Sequence, residues 1–283
     1  GVQTCALPIS ADGKQVLAAA YQMTISTNPV SLNSPGVLFI STNYGATFNQ
    51  LTNLSWGGWS SVASSADGSK LAAAAGDGVI YYSSNYGQTW MQQTNTPYRY
   101  WTSIASSSDG SKLATLGEGA IYYSSDFGTT WQQLSNAPTP SSGIYNIAMS
   151  SDGKKLFCAG GNPGFLASLD QGFTWNTIVP EFGMGGYRKI ISSGDGSRLI
   201  ESTESSPVIF FASPDSGATW STPSSTLNGN GTSSGGYLTA QSADGTKVFT
   251  ADVKKIYNYR LYQYQSIRGG AFTSCELVYS GNG

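Results

Sequence analysis

The sequence contains no histidine, which removes imidazole as a metal ligand, a general base and a pH-sensing group. It also removes haem attached through Cys-x-x-Cys-His. Charge is scarce too: Asp, Glu, Lys and Arg make up 11% of the chain, with 14 cations against 16 anions. Nucleic acids and anionic membranes call for a dense basic face, and this balance excludes one. No apolar run approaches the roughly 18 residues of a membrane helix. The chain does not open with the basic segment and apolar stretch of a signal peptide. Neither a cofactor nor a metal is implied by what is left.

Glycine, with 35 residues, and Ser, Thr, Asn and Tyr carry the composition instead. A polar, weakly charged surface of this kind suits an extracellular setting. Cysteine is nearly absent. Cys5 lies in an unusual opening string, and Cys158 and Cys275 fall on strands of well-separated units. Those two should sit beyond the roughly 7 Å Cα limit of a disulfide. Cys158 is expected as a buried small hydrophobe, and Cys275 as either that or a link between chains.

Self-similarity dominates the sequence. One series of marks is a Ser-x-Asp-Gly-like turn before an apolar run, with its pairs at Asp12-Gly13, Asp67-Gly68, Asp109-Gly110, Asp152-Gly153, Asp195-Gly196 and Asp244-Gly245. Asp-Gly between alternating segments signals a hairpin, because glycine accepts the positive φ of a tight turn. The second series reads Ser-x-Asp/Asn-x-Gly-x-Thr-Trp/Phe. Its acidic or amide positions are Asn43, Asn85, Asp126, Asp170 and Asp215, and its rings are Phe48, Trp90, Trp131, Trp175 and Trp220. A degenerate sixth copy falls at Ser266, Arg268, Gly270 and Phe272. The Asp or Asn is expected to cap its own turn and Gly to take the left-handed position. The ring is expected to pack between neighbouring sheets.

The spacings between these Asp/Asn positions are 42, 41, 44 and 45 residues, then 53 to Arg268. Periods near 40–50 residues point to propellers or solenoids. The strands read most clearly in the second unit: WSSVASS from Trp59, KLAAAA from Lys70, VIYYSS from Val79 and TWMQQ from Thr89. Small Ser and Ala side chains on the first two strands fit a crowded axis. An aromatic opens most first strands, at Trp59, Trp101, Tyr145, Tyr187 and Tyr237. The predicted fold is therefore all-β: a single β-propeller over residues 10–283, of six four-stranded blades or, with a longer native chain, seven. Gly1 to Ile9, GVQTCALPI, are similar to the in-frame translation of a common sequencing adapter. They fall in a first-strand slot that lacks the aromatic, as expected of foreign sequence over a truncated native N-terminus.

The second series resembles the Asp-box of sialidase and BNR-repeat propellers. That resemblance implies that the box turns are folding devices on the face opposite a ligand site; fold alone does not carry function. Sialidases of that group use three arginines, a Tyr–Glu pair, an Asp and a Phe/Tyr-Arg-Ile-Pro motif. Here the nearest string is Tyr187-Arg188-Lys189-Ile190, without the proline. Of Arg99, Arg188, Arg198, Arg260 and Arg268, two fall near the expected ligand face: Arg99 and Arg188. Catalysis is therefore not expected. Glu118, Glu181, Glu201 and Glu204 lie scattered over three units and read as solvated loop carboxylates.

Trp56, Tyr98, Arg99, Tyr100, Phe182 and Met184 lie on connections between units and are not repeat positions. Aromatic platforms bind sugars by stacking, and exposed apolar clusters also make protein contacts. Trp56, Tyr98, Arg99, Tyr100, Phe182 and Arg188 are the candidate ligand-binding set, with glycans as one candidate partner. The alternative is that the loops merely cover the core. Asn53-Leu54-Ser55 and Asn230-Gly231-Thr232 are weak glycosylation sequons. Tyr257, Tyr259, Tyr262 and Tyr264 enrich the sixth unit. The function expected is a non-catalytic extracellular interaction or structural module that could self-associate into a homopolymer or filament. The alternative is a carbohydrate-binding or sialidase-like propeller.

Overall fold

The computed structural model describes residues 2–6, 8–22, 36–52, 54, 58–138, 143–160, 164–178, 188–203, 210–221, 237–241, 243–245 and 248–252. Every regular element among them is a strand. The first sheet contains β1 (Val2–Ala6), β2 (Val16–Gln22), β3 (Val37–Ser41) and β4 (Asn49–Gln50). The second has β5 (Trp59–Ser64), β6 (Leu71–Ala75), β7 (Ile80–Ser83) and β8 (Met91–Gln92), and the third β9 (Trp101–Ser106), β10 (Leu113–Gly117), β11 (Ala120–Ser124) and β12 (Gln132–Gln133). The fourth comprises β13 (Ile144–Met149), β14 (Leu156–Gly160), β15 (Phe165–Ser168) and β16 (Asn176–Ile178). The fifth shows β17 (Arg188–Ser192), β18 (Leu199–Thr203) and β19 (Phe210–Ser213), and the sixth β20 (Tyr237–Gln241) and β21 (Val248–Asp252). Each sheet is an antiparallel meander in chain order.

Consecutive sheets pack face to face. Each apolar cluster joins two of them: Leu38 and Ile40 of the first meet Trp59 and Val62 of the second. In the same way Leu116 and Ile121 of the third meet Ile147 and Leu156 of the fourth. The first strands β5, β9, β13 and β17 lie against one another in sequence, so they surround a shared axis. Small side chains there do more than save space. Ser61 Oγ accepts from Ile104 N–H (3.1 Å), Ser103 Oγ from Ile147 N–H (3.2 Å) and Asn146 Oδ1 from Ile190 N–H (3.0 Å). Each of these innermost strands leaves one edge of peptide groups unpaired toward the axis, and the preceding sheet's polar side chain satisfies one donor on it.

The acidic turns are self-contained hydrogen-bond units. Ser65 Oγ donates to Asp67 Oδ1 (2.6 Å) and accepts from Lys70 N–H, while Ser69 N–H donates to the same carboxylate. The pattern recurs at Ser10, Ser107, Ser150 and Ser193. In the second series, Ser83 Oγ donates to Asn85 Oδ1 and accepts from Gly87 N–H, and Thr89 N–H donates to Asn85. The Trp rings of this series pack on the seams: Trp90 against the first–second cluster, Trp131, Trp175 and Trp220 against the three that follow. Trp90, Trp175 and Trp220 also donate Nε1–H to the glycine carbonyl of their own turn. Phe48 of the first unit stays 44% exposed.

The two turn series dock on each other. Tyr86 N–H donates to Ser69 O, and the equivalents are Tyr44 to Lys14, Phe127 to Ser111, Gln171 to Lys154 and Ser216 to Ser197. Both series therefore occupy one end of the sheets. At that end the residue before each turn aspartate donates a backbone hydrogen bond to the next unit: Ala11 N–H to Ala66 O, Ala66 to Ser108, Ser108 to Ser151, Ser151 to Gly194 and Gly194 to Ala243. This backbone hoop links all six turns.

Three details differ from the sequence reading. The left-handed position is not glycine's alone, since Tyr44, Tyr86, Phe127, Gln171 and Ser216 before each glycine also take φ of 59–62°. The buried slot opening the fourth first strand belongs to Ile144, which pairs with Gly160 as Trp101 pairs with Gly117. Tyr145, one residue later, is 37% exposed. Glu201 is no loop carboxylate: it sits within β18 opposite Ile190 and is fully buried. Cys158 is buried in the apolar seam of the third and fourth sheets, and that burial pushes its thiol pKa up. Val2–Ala6 fill the first-strand slot, paired with β2 through a bulge.

Candidate ligand-binding site

With the acidic turns at one end, the opposite end carries the hairpins between second and third strands and the connections from each sheet to the next. The best described connection is residues 93–100, which leads from β8 into β9. Its anchor is Trp101, fully buried, with its edge against Tyr122 (centroids 5.4 Å apart) and its Nε1–H donated to Gly78 O. From that anchor the chain places alternate side chains on opposite sides, as extended backbone does. Tyr98 and Tyr100 go outward, 79% and 63% exposed. Arg99 goes inward toward the third sheet.

The two tyrosine rings rest on one hairpin of the second sheet, Gly76-Asp77-Gly78. Ring atoms of Tyr98 lie where a Gly78 β-carbon would meet them at 2.6 Å, and the Tyr100 ring lies 3.1 Å from the equivalent point at Gly76. Each ring thus has one side seated on bare backbone and the rest open to solvent. Asp77, between the glycines, is exposed.

Arg99 ties this strap to the next sheet. Its Nη1 donates to Glu118 Oε2 (2.9 Å), its Nε donates to Tyr122 Oη (2.8 Å), and its guanidinium stands 5.8 Å from the Tyr122 ring centroid. Tyr122 in turn donates to Gln133 Oε1 (3.2 Å) on the outer strand. The Tyr122 hydrogen bond, with Glu118 adding to it, raises the Arg99 pKa further. Glu118 occupies the left-handed turn position of its own hairpin, at φ 50°, which points its carboxylate back at the strap.

No family model and no curated protein matches the sequence. Solved structures do. The GH74 xyloglucanase from Xanthomonas campestris superposes with a TM-score of 0.62 at 16% identity, over 88% of this chain and 43% of that one. The Niastella koreensis GH74 enzyme gives 0.61 at 19%, over 98% and 52%. YCF48 from Cyanidioschyzon merolae gives 0.54 at 11%, over 88% and 92%. The fold is a β-propeller. The chain spans about half the length, or less, of the two GH74 structures.

In propeller terms, Tyr98, Arg99 and Tyr100 sit together on the face away from the acidic turns. Arg188 opens β17, two blades further along the chain. Trp56, Phe182, Met184, Glu181, Glu204, both sequon asparagines, Tyr187, Arg260, Arg268, Cys275 and the sixth unit's tyrosines lie outside the described residues, as does the sixth box copy. Among the described residues no group of three potential ligands could hold a metal ion. Gly76, Gly78 and Tyr122 belong to the site but were not singled out in the sequence. Tyr122 occupies a repeat position, equivalent to Tyr81 against Trp59, so nothing marked it.

Proposed function

We propose that this chain is a non-catalytic extracellular binding module whose ligand is a glycan stacked on Tyr98 and Tyr100. The observation that carries the reading is the pair of open rings, each braced from behind by a glycine of the same hairpin. A braced ring loses little entropy on contact, which favours stacking against a flat sugar face. The non-catalytic part rests on the carboxylates. Glycoside hydrolysis uses two of them facing one bond across a cleft; of the candidate glutamates among the described residues, Glu118 is committed to Arg99 and Glu201 is buried in a blade. The likeness to GH74 enzymes supports a propeller that can present a saccharide surface, at an identity that speaks for fold alone.

Affinity electrophoresis through gels containing soluble polysaccharides tests this, with a reducing-sugar assay alongside. Retardation by at least one polysaccharide without release of reducing ends is expected. Each ring removed should weaken binding roughly two- to tenfold, from about 0.5–1.5 kcal/mol per aromatic contact. Retardation unchanged in Tyr98→Ala/Tyr100→Ala would overturn the assignment.

A second reading concerns the opposite end. Tyr44 (70% exposed), Tyr86 (49%), Leu169 (50%) and Phe173 (72%) stand on the box turns of the first, second and fourth blades. Exposed apolar groups gathered in this way support contacts between copies of the chain. Light scattering against concentration tests that, with Tyr44→Ser/Phe173→Ser expected to lower the apparent mass of any oligomer.

A further inference from the structure

We infer that the Tyr98–Tyr100 platform selects uncharged saccharides and rejects acidic ones, because the one cation of its strap is cancelled and immobilised by Glu118 and Tyr122. The inference deepens the glycan reading above and rests on it.

A sugar carboxylate is recognised by a guanidinium that offers two parallel donors and an uncompensated charge. Arg99 offers neither. Each of its two-donor edges has a member already used, Nη1 by Glu118 at 2.9 Å and Nε by Tyr122 at 2.8 Å, and its central carbon stands 5.8 Å from the Tyr122 ring centroid. The ion pair is itself half exposed, with side-chain exposures of 32% and 52%. Its value therefore lies less in stability than in where it leaves the charge. Asp77 then adds an exposed carboxylate on the hairpin that carries both rings. With Arg99 and Glu118 cancelling, the strap and its two hairpins have a net charge of −1 from Asp77. A uronic or sialic chain approaching the rings meets a field of its own sign, while a neutral chain meets two open aromatic faces and no electrostatic barrier.

The test compares gels of neutral polysaccharides (hydroxyethyl cellulose, galactomannan, starch) with gels of polygalacturonate at pH 7 and low salt. Wild type should be retarded by a neutral polymer and not by polygalacturonate. Glu118→Gln frees the charge of Arg99, and Asp77→Asn removes the remaining negative charge at the rings. Each should gain at least threefold in affinity for polygalacturonate, and 0.3 M NaCl should erase that gain. Thermal melts of both variants confirm that they fold, and the two changes act from different hairpins, so a defect in one leaves the other informative. Wild-type binding to polygalacturonate, or no gain in either folded variant, overturns charge selection and leaves the glycan reading standing. Retardation by none of the polymers overturns the glycan reading, and charge selection with it.

Discussion

A methyl group added at Gly78 would stand 2.6 Å from the Tyr98 ring, on backbone whose φ of +99° suits no L side chain. Gly78→Ala therefore combines two effects that can be separated. Backbone strain should cost about 1–3 kcal/mol of stability, read from a urea titration. The ring, braced by this glycine and otherwise open to solvent, should be pushed off its seat by the methyl, so saccharide binding falls as it does in Tyr98→Ala. Tyr98→Ala itself should leave the urea midpoint almost unmoved. If Gly78→Ala binds as wild type does, the glycine is not the brace. At this scale the sequence shows the rings and hides their setting. Tyr98 and Tyr100 stood out because they interrupt the repeat. Their seats did not, because Gly76-Asp77-Gly78 reads as an ordinary hairpin. Arg99 read as a ligand-face candidate and its partner went unseen, because Glu118 lies 19 residues away on the next hairpin and nothing local couples the two.

Between elements, the propeller is held by a latch that repeats from blade to blade. The residue that closes one Ser-x-Asp-Gly turn lays its stem over the glycine of the next: Gln15 on Gly68, Lys70 on Gly110, Lys112 on Gly153 and Lys155 on Gly196. The lysine heads then find partners beyond the seam. Lys112 donates to Asp152 O, Lys155 donates to Ser216 Oγ, and Lys70 stands 5.3 Å from the Phe127 ring centroid. Much of each side chain's contribution is its methylene stem, as in other snorkelling lysines. Gly110→Ala would set a β-carbon 2.8 Å from Lys70 Cβ, a clash near the backbone that cannot swing aside. A loss of about 2 kcal/mol in urea-measured stability is expected, from the positive φ and the overpacked seam together. Lys70→Met should keep the stem and cost well under half of that, whereas Lys70→Ala should cost more than Lys70→Met. Equal losses for Met and Ala would show that the charge, not the stem, holds the seam. The turns were legible because Asp-Gly and Ser-x-Asp/Asn-x-Gly are local chemistry. The docking of one series on the other, the hoop and the latch are contacts between units, and a lysine at that position reads as a solvated charge until its neighbour is in place.

For the whole molecule, the acidic turns make acid stability a collective property. Asp67 is held at about 2 by the Ser65 hydroxyl first and then Ser69, against an ordinary 3.8. Asp109 is lowered to about 2 by Ser107 and the Ser111 N–H, and Asp195 to about 2 by the Ser197 N–H and the Ser193 hydroxyl. Asp152 shifts the same way, through Ser150 and the Lys154 N–H. A depressed carboxyl stabilises the folded state at pH above its unfolded value. As pH falls from about 4 toward 2, the unfolded chain takes up protons that the folded chain refuses, and that stability drains away. These groups are largely exposed, so each contributes modestly after solvent screening. Their effects add to a first approximation because the turns lie in separate blades. The urea midpoint should therefore be nearly flat from pH 7 to 5 and fall continuously between 4 and 2. Asp67→Asn/Asp109→Asn/Asp195→Asn keeps an acceptor oxygen in each turn and removes the titration. It should start less stable at pH 7 and show a visibly shallower acid fall. An acid limb as steep as that of wild type would place the proton uptake elsewhere and reduce these aspartates to turn formers without a role in acid unfolding.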